Sequence, residues 1–199
     1  MTLVELLVGL VITGMVTATA YAAFGTLADH RGRVEVAAAE ATRESTVRHT
    51  VLAWLAGARL TVEEGGPPFR ALDGVHEGRP DDELAFLTTA RTPLAETETV
   101  VRLFVDRDPG TPERGLVAEL SEWRGAEVLH TRRVELEPRV TGLDARYLTG
   151  ALGARQWVPT WISSSVLPAG AELVLTAEPG DTLPPLLCLP LVVAFEGGR

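Results

Sequence analysis

Glu5 is the residue whose type and position most strongly suggest chemistry. It is the first charged residue of the chain, and no charged side chain follows it from Leu6 to Ala28. An ionised carboxylate in lipid costs about 2.5–3.5 kcal/mol on insertion scales, so such residues are retained where they find a partner. The nearest cation is an N-terminal ammonium group, of this chain or of another copy. We therefore expect Glu5 to pair with an amine; the alternative is that it lies at headgroup depth without a specific role.

The other polar residues do not form a catalytic pattern. The four histidines are scattered without His-x₃-His spacing, and Cys188 is the single cysteine, so no zinc site is predicted. The serines at 163–165 have no G-x-S-x-G frame, and no glycine-rich phosphate loop is present. We expect no enzyme activity and no cofactor, and we expect Cys188 to be a small core residue rather than a reactive thiol.

One predicted loop contains three acidic residues, Asp106, Asp108 and Glu113. Carboxylate oxygens are the hard ligands that calcium takes, but the loop lacks the twelve-residue EF-hand spacing. We expect a solvated hairpin loop and no metal, with calcium near Asp106 and Asp108 as the alternative.

Trp157 and Trp161 are candidates for an interface. They are four residues apart, so they would share a face of one regular strand, and Pro159 between them indicates an edge strand or a bulge. Core packing and a partner contact are equally supported, because tryptophan is enriched at interface hot spots.

An N-terminal helix must position Glu5. The uncharged residues 6–28 would rise roughly 35 Å as a helix, enough to cross a hydrocarbon core. A cleaved signal would begin with basic residues, whereas the first basic residue here is Arg31. The length of this segment and its lack of charge therefore predict that it spans a membrane. A membrane anchor with no further role would fit the length but would leave Glu5 unexplained.

The helical pattern continues to Gly57, which is the predicted stop. Residues 29–56 contain no proline and are rich in alanine, glutamate and arginine. Their apolar side chains recur at helical spacing, which predicts an amphipathic helix half. The predicted stripe comprises Val34, Ala38, Ala41, Ser45, Leu52 and Leu55, widened by Val47, Val51 and Trp54.

The remainder of the chain is predicted to be β-structure. Alternating apolar segments are separated by loops rich in proline and glycine, and no αβα alternation appears. The predicted strands are 58–64, 82–90, 98–107, 115–124, 127–137, 142–149, 155–163, 170–178 and 189–197. A helix followed by consecutive strands indicates an α+β fold, with antiparallel sheet packed on the second half of the helix. We expect three parts, namely residues 1–28, 29–57 and 58–199.

The amino-acid composition limits the kinds of molecule that the chain is expected to bind. The chain has 199 residues, of which 23% are charged and 46% hydrophobic, and its net charge is −9. An acidic chain without a basic patch argues against nucleic-acid binding.

The opening residues TLVELLVGLVI resemble the signal region of type IV pilins and type II secretion pseudopilins. The resemblance implies a pilin-like fold and a mature chain that begins at Met1 after cleavage by prepilin peptidase, with Met1 N-methylated. It also implies that Glu5 meets the N-terminal amine of a neighbouring subunit during filament assembly.

The segment RQWVPTWISSSVLPAGAELVL resembles the J class of minor pseudopilins, in which a tryptophan-containing stretch precedes Leu-Pro and a strand. That resemblance implies an inner-membrane protein with a periplasmic domain, which promotes pseudopilus assembly and protein export. Its implied partners are the I-, K- and H-class minor pseudopilins, the major pseudopilin and the inner-membrane assembly platform. A minor pilin of a type IV pilus is the alternative, and a membrane-anchored periplasmic binding module or enzyme is a weaker one.

Overall fold

The structure is a computed structural model that describes residues 2–60, 67–95, 98–124, 127–149 and 155–195. The side chains of Glu5, Ala28 and Asp29 are outside that description. A long helix, α1 (Leu3–Ala56), precedes strands that pair in antiparallel fashion. This arrangement confirms the predicted α+β layout and the predicted long N-terminal helix. The chain divides into two compact units, Met1–Arg43 and Glu44–Arg199.

Thirteen strands are present in the described part of the chain. In chain order they are β1 (Ala58–Arg59), β2 (Phe69–Leu72), β3 (Val75–His76), β4 (Arg79–Pro80), β5 (Glu83–Thr88), β6 (Thr99–Asp106), β7 (Gly115–Arg124), β8 (Glu127–Glu137), β9 (Val140–Thr149), β10 (Gln156–Val158), β11 (Trp161–Ser163), β12 (Gly170–Ala177) and β13 (Leu191–Ala194).

The larger sheet has seven strands. Its order is β11-β2-β5-β6-β7-β8, and β1 also pairs with β5. Strand β6 alternates as predicted, because Val101, Leu103 and Val105 are buried while Arg102 and Phe104 lie on the opposite, partly exposed face.

The smaller sheet has four strands in the order β10-β9-β12-β13. One hydrophobic cluster unites its buried residues with those of the larger sheet and the last turns of α1. At its centre the Phe69 ring lies 5.9 Å from Tyr147 and 5.5 Å from Phe195, edge to face in both cases. The core therefore joins side chains of both sheets.

The buried side chains of α1 belong to its last four turns. Val47, Val51, Trp54 and Leu55 are at most 7% exposed, whereas Val34, at the start of the predicted stripe, is 53% exposed. The predicted stripe is therefore buried only in its C-terminal part.

Gly57 directly follows the last residue of the helix, as predicted, and it lies where a larger residue would not fit. A Cβ at this position would come within 2.7 Å of the Thr88 hydroxyl oxygen and 3.0 Å of the Ala90 backbone nitrogen. That hydroxyl donates a hydrogen bond of 2.8 Å to the Trp54 carbonyl. The residue that follows the helix must therefore be small for β5 to approach this closely.

Candidate functional surfaces

The first part of α1 has the length and composition of a membrane-spanning helix. Its most apolar 18 residues reach a mean hydropathy of 1.9, and none of them is buried. Large apolar side chains such as Leu3 and Tyr21 are each 82% exposed. Exposure of so much apolar surface is costly in water and favourable in lipid. One helix here is therefore long and apolar enough to cross a bilayer.

The threonines of this segment satisfy their hydroxyl groups within the helix. Thr13 donates to the Gly9 carbonyl at 2.8 Å, Thr17 to the Thr13 carbonyl at 2.8 Å, and Thr19 to the Met15 carbonyl at 2.7 Å. An unsatisfied polar group in hydrocarbon costs several kcal/mol, so this internal bonding makes the threonines compatible with lipid.

Met1 lies outside the residues that the structure describes, and so does the side chain of Glu5. The methylation expected at Met1 and the ion pair expected for Glu5 therefore remain predictions.

Trp157 and Trp161 lie on different strands of different sheets, so the predicted single strand over residues 155–163 is wrong. Trp157 lies on β10 opposite Leu148 of β9, whereas Trp161 lies on β11 opposite Ala71 of β2. The chain passes from the smaller to the larger sheet between them, at Pro159, which has no N–H to donate to a continuing ladder.

The two indoles also differ in exposure. Trp157 is 41% exposed. Trp161 is partly buried against the core, and its Nε1 donates to the Val166 carbonyl at 3.1 Å. Of the two candidate interface residues, Trp157 thus presents more of its ring to a partner.

The acidic loop uses its carboxylates to close a turn. Asp106 accepts hydrogen bonds from the Asp108 backbone N–H at 2.9 Å and from the Thr111 hydroxyl at 3.1 Å. Asp108 accepts from the Gly110 backbone N–H at 2.8 Å. No group of three His, Cys, Asp or Glu side chains suited to a metal ion occurs within the described ranges. Both Asp106 carboxylate oxygens and one Asp108 carboxylate oxygen are thus engaged as hydrogen-bond acceptors within the loop.

Cys188 is exposed, which corrects the expectation that it is a core residue. Its neighbour Leu187 is fully buried instead. The Sγ atom lies 3.4 Å from the Leu183 carbonyl. The reason is the turn over residues 185–187, which directs the side chain of residue 187 rather than 188 into the core.

The outer face of the larger sheet carries a row of ion pairs that the sequence analysis missed. Arg102 on β6 contacts Glu83 on β5 at 2.7 Å and Glu119 on β7 at 3.6 Å, and Arg133 on β8 contacts Glu119 at 3.1 Å. Both guanidinium groups lie over the Phe104 ring, 4.6 and 5.7 Å from its centroid. The alternation of β6 in the sequence indicates which of its side chains share a face. It does not show which charges pair, because pairing depends on the register between neighbouring strands.

Two adjacent acidic residues, Asp82 and Glu83, have pKa values that are shifted in opposite directions. The hydrogen bond from Arg102 lowers the pKa of Glu83. Burial raises the pKa of Asp82, even though its carboxylate accepts from the Gly74 N–H at 2.9 Å and the Ala145 N–H at 2.7 Å. Asp82 thereby connects the turn before β3 to β9, a structural role that the sequence analysis did not predict.

No protein-family model, curated protein or solved structure matches this chain.

Proposed function

We propose that this chain is a filament subunit, a minor pseudopilin of the J class that acts at the tip of a type II secretion pseudopilus. The observation that carries the proposal is that one helix, α1, contains both the exposed apolar segment and the side chains that pack in the β-rich core. A pilin-like subunit needs both: a segment stored in the membrane and a domain attached to it.

Glu5 supplies the specificity of assembly in this proposal. In lipid, helices gain nothing from excluding water, so packing and polar pairing must drive their association. A carboxylate before the apolar segment is neutralised when the amine of a neighbouring subunit arrives at the correct axial stagger. Correct assembly is then favourable, and misregister leaves an unpaired charge in lipid.

The proposed location follows from the same reasoning. The apolar part of α1 is held in the inner membrane, and the β-rich domain lies in the periplasm until the subunit joins the pseudopilus. The expected partners are the I-, K- and H-class minor pseudopilins and the major pseudopilin. The protein acts structurally, without a catalytic step.

The test is to substitute Glu5 in the full-length chain. Glu5→Ala and Glu5→Gln remove the charge, whereas Glu35→Ala removes an exposed acid further along the same helix. We expect all three variants to fractionate with the membrane. We expect both Glu5 variants to lose incorporation into sheared filaments at least tenfold, and Glu35→Ala to keep it. Normal incorporation of Glu5→Ala would contradict the proposal.

A minor pilin of a type IV pilus is the second candidate. The chain has one cysteine, so it cannot close the disulfide-bonded C-terminal loop that is common in major pilins, and this favours both kinds of minor subunit. Deleting the gene separates them: loss of protein export with normal pili supports the pseudopilin, and loss of pili with normal export supports the minor pilin.

A further inference from the structure

Strand β13 (Leu191–Ala194) is the last strand of the smaller sheet, and no described strand pairs with its outer side. Its pairing with β12 is regular, whereas register shifts interrupt β8, the edge strand at one side of the larger sheet. An open edge can pair with another strand, and proteins commonly prevent this with bulges or charged side chains. Strand β8 has both of these protections, but β13 has neither of them.

The backbone groups of β13 that point away from β12 belong to Val192 and Ala194. The Phe195 N–H donates to the Ala169 carbonyl at 3.2 Å, so residue 195 directs its backbone groups toward β12. This direction alternates along a strand, so Val193 also points toward β12, and the N–H and C=O groups of Val192 and Ala194 point outward. At this edge they have no hydrogen-bond partner among the described residues.

The side chains along this edge are apolar. Val192 is 58% exposed and Ala194 is also exposed, whereas Leu191 and Phe195 point to the opposite face and are buried in the core. Residues 191–195 include no charged residue, glycine or proline, and β-branched valine is common in strands. A strand added here would therefore satisfy outward backbone groups and cover apolar surface at the same time.

A second copy of β13 is complementary to this edge. In an antiparallel pair, outward-pointing groups face each other, so Val192 of one copy lies opposite Val192 or Ala194 of the other. The register with Val192 opposite Ala194 places Val193 opposite Val193 on a two-fold axis and pairs residues 191–195 of both copies. A larger exposed side chain then lies against a smaller one. No like charges face each other, because the segment contains none.

We propose that two copies of this chain associate by antiparallel pairing of their β13 strands, which joins the two smaller sheets into one continuous sheet. The paired segment is much shorter than the roughly 20–30 residues a side of a stable interface, so the dimer is weak and is best detected by covalent capture. The contact does not involve Glu5, so this proposal and the proposed function can fail separately.

The first test is disulfide cross-linking of the full-length chain in detergent, with micelles in excess over protein. Cys188→Ser removes the exposed native thiol, and Val193→Cys or Leu189→Cys is then added. In the proposed register the two Val193 Cα atoms are about 4.5–5.5 Å apart, which a disulfide can bridge. The two Leu189 positions are roughly 26 Å apart, because each is four residues from the axis.

We expect Val193→Cys to form a covalent dimer at least about tenfold faster than Leu189→Cys. Chance collisions predict the opposite order, because Leu189 is 55% exposed and Val193 is only partly exposed. Faster cross-linking of Leu189→Cys, or no covalent dimer of Val193→Cys, would overturn the proposal.

The second test blocks the edge in the Val193→Cys chain. Val192→Pro removes an N–H that points away from β12, so the sheet within the chain should keep its hydrogen bonds. Cross-linking should slow about tenfold, as the loss of one intermolecular hydrogen bond from each copy implies. Val192→Arg places a charge on the edge without restricting the backbone, and it should also slow cross-linking.

Val128→Arg is the matched control, because Val128 is 55% exposed and lies on the edge strand of the other sheet. It should cross-link through Val193→Cys as fast as the chain without it. Undiminished cross-linking in both Val192 variants, or an equal loss in Val128→Arg, would overturn the proposal.

Discussion

Asp82 and Glu83 are adjacent residues whose ionisation should affect folding in opposite directions. The side chain of Glu83 faces Arg102 on the sheet surface, and its pKa is lowered. Stability from Glu83 is thus present above its unfolded-state pKa and is lost as the pH falls through its folded-state pKa. Asp82 is 3% exposed and its pKa is raised, so its contribution is largest in acid and is lost as the pH rises through its folded-state pKa.

Glu83→Gln tests this account of the surface ion pairs. At pH 7 it should lower the free energy of unfolding by about 0.2–1 kcal/mol, the range for partly exposed pairs. The deficit should disappear in acid, where Glu83 itself is protonated. Urea unfolding at both pH values measures it, with the exposed Glu127→Gln as control. A deficit that is equal at both pH values would show that packing, not charge, is responsible.

Trp157 and Trp161 flank the point where the chain passes from one sheet to the other, and replacing each by alanine should change the stability by different amounts. Trp161→Ala removes a ring that packs on the core and a hydrogen bond, so it should lower the free energy of unfolding by about 2–4 kcal/mol. Trp157→Ala should change it by at most about 1 kcal/mol, because the ring is 41% exposed.

Denaturant unfolding of both variants gives the comparison directly. If Trp157 serves a partner, Trp157→Ala should also reduce filament incorporation while leaving the domain stable. A large loss of stability in Trp157→Ala would assign that ring to the core instead.

At the scale of the element, α1 changes its surroundings along its length. Every described side chain from Leu3 to Arg43 is exposed, whereas Val47, Val51 and Leu55 are buried. Arg48, between the buried positions, donates to the carbonyls of Leu186 and Leu189 at 3.0 and 2.9 Å. The end of the helix is thus fixed both by apolar packing and by hydrogen bonds to the C-terminal segment.

Two glycines of this region provide a matched pair of substitutions. Gly57→Ala should lower the free energy of unfolding by about 1–3 kcal/mol, since its Cβ would lie 2.7 Å from the Thr88 hydroxyl oxygen. Gly32→Ala has nothing within 4 Å and should favour the helix by about 0.5–1 kcal/mol. Thermal unfolding by circular dichroism measures both. Equal effects of the two substitutions would contradict the steric account of the helix end.

The regular elements could be predicted because their patterns are local. Strands β7 and β8 begin and end at the predicted residues. The strands β2, β3 and β4 were missed because they have two to four residues each and lie in a segment rich in glycine and proline. Strands this short are specified by tertiary pairing rather than by their own sequence.

At the scale of the whole molecule, the two compact units differ in the surface that they expose. The unit Met1–Arg43 exposes apolar residues along α1, whereas the unit Glu44–Arg199 has a single buried core and only scattered exposed apolar side chains, such as Val75 and Ile162. The candidate surfaces were only partly predictable. The membrane-length segment is contiguous in sequence, but the ion pair of Arg79 with Glu178 joins distant parts of the chain, and no spacing rule relates these two residues.

A truncated chain of residues 30–199 tests this division. It lacks the exposed apolar segment and keeps every side chain of the core, so it should remain in solution without detergent. Sedimentation and far-ultraviolet circular dichroism should reveal a folded, β-rich particle. Aggregation of the fragment would mean that the exposed helical residues 30–43 need a partner that the core does not provide.

The most direct test of the central claim is a reconstruction of the assembled filament that resolves the first turns of the helix. The account predicts that the Glu5 carboxylate lies within about 4 Å of the N-terminal amine of a neighbouring subunit, the distance of an ion pair. A Glu5 carboxylate that faces lipid or water, far from every amine, would contradict it.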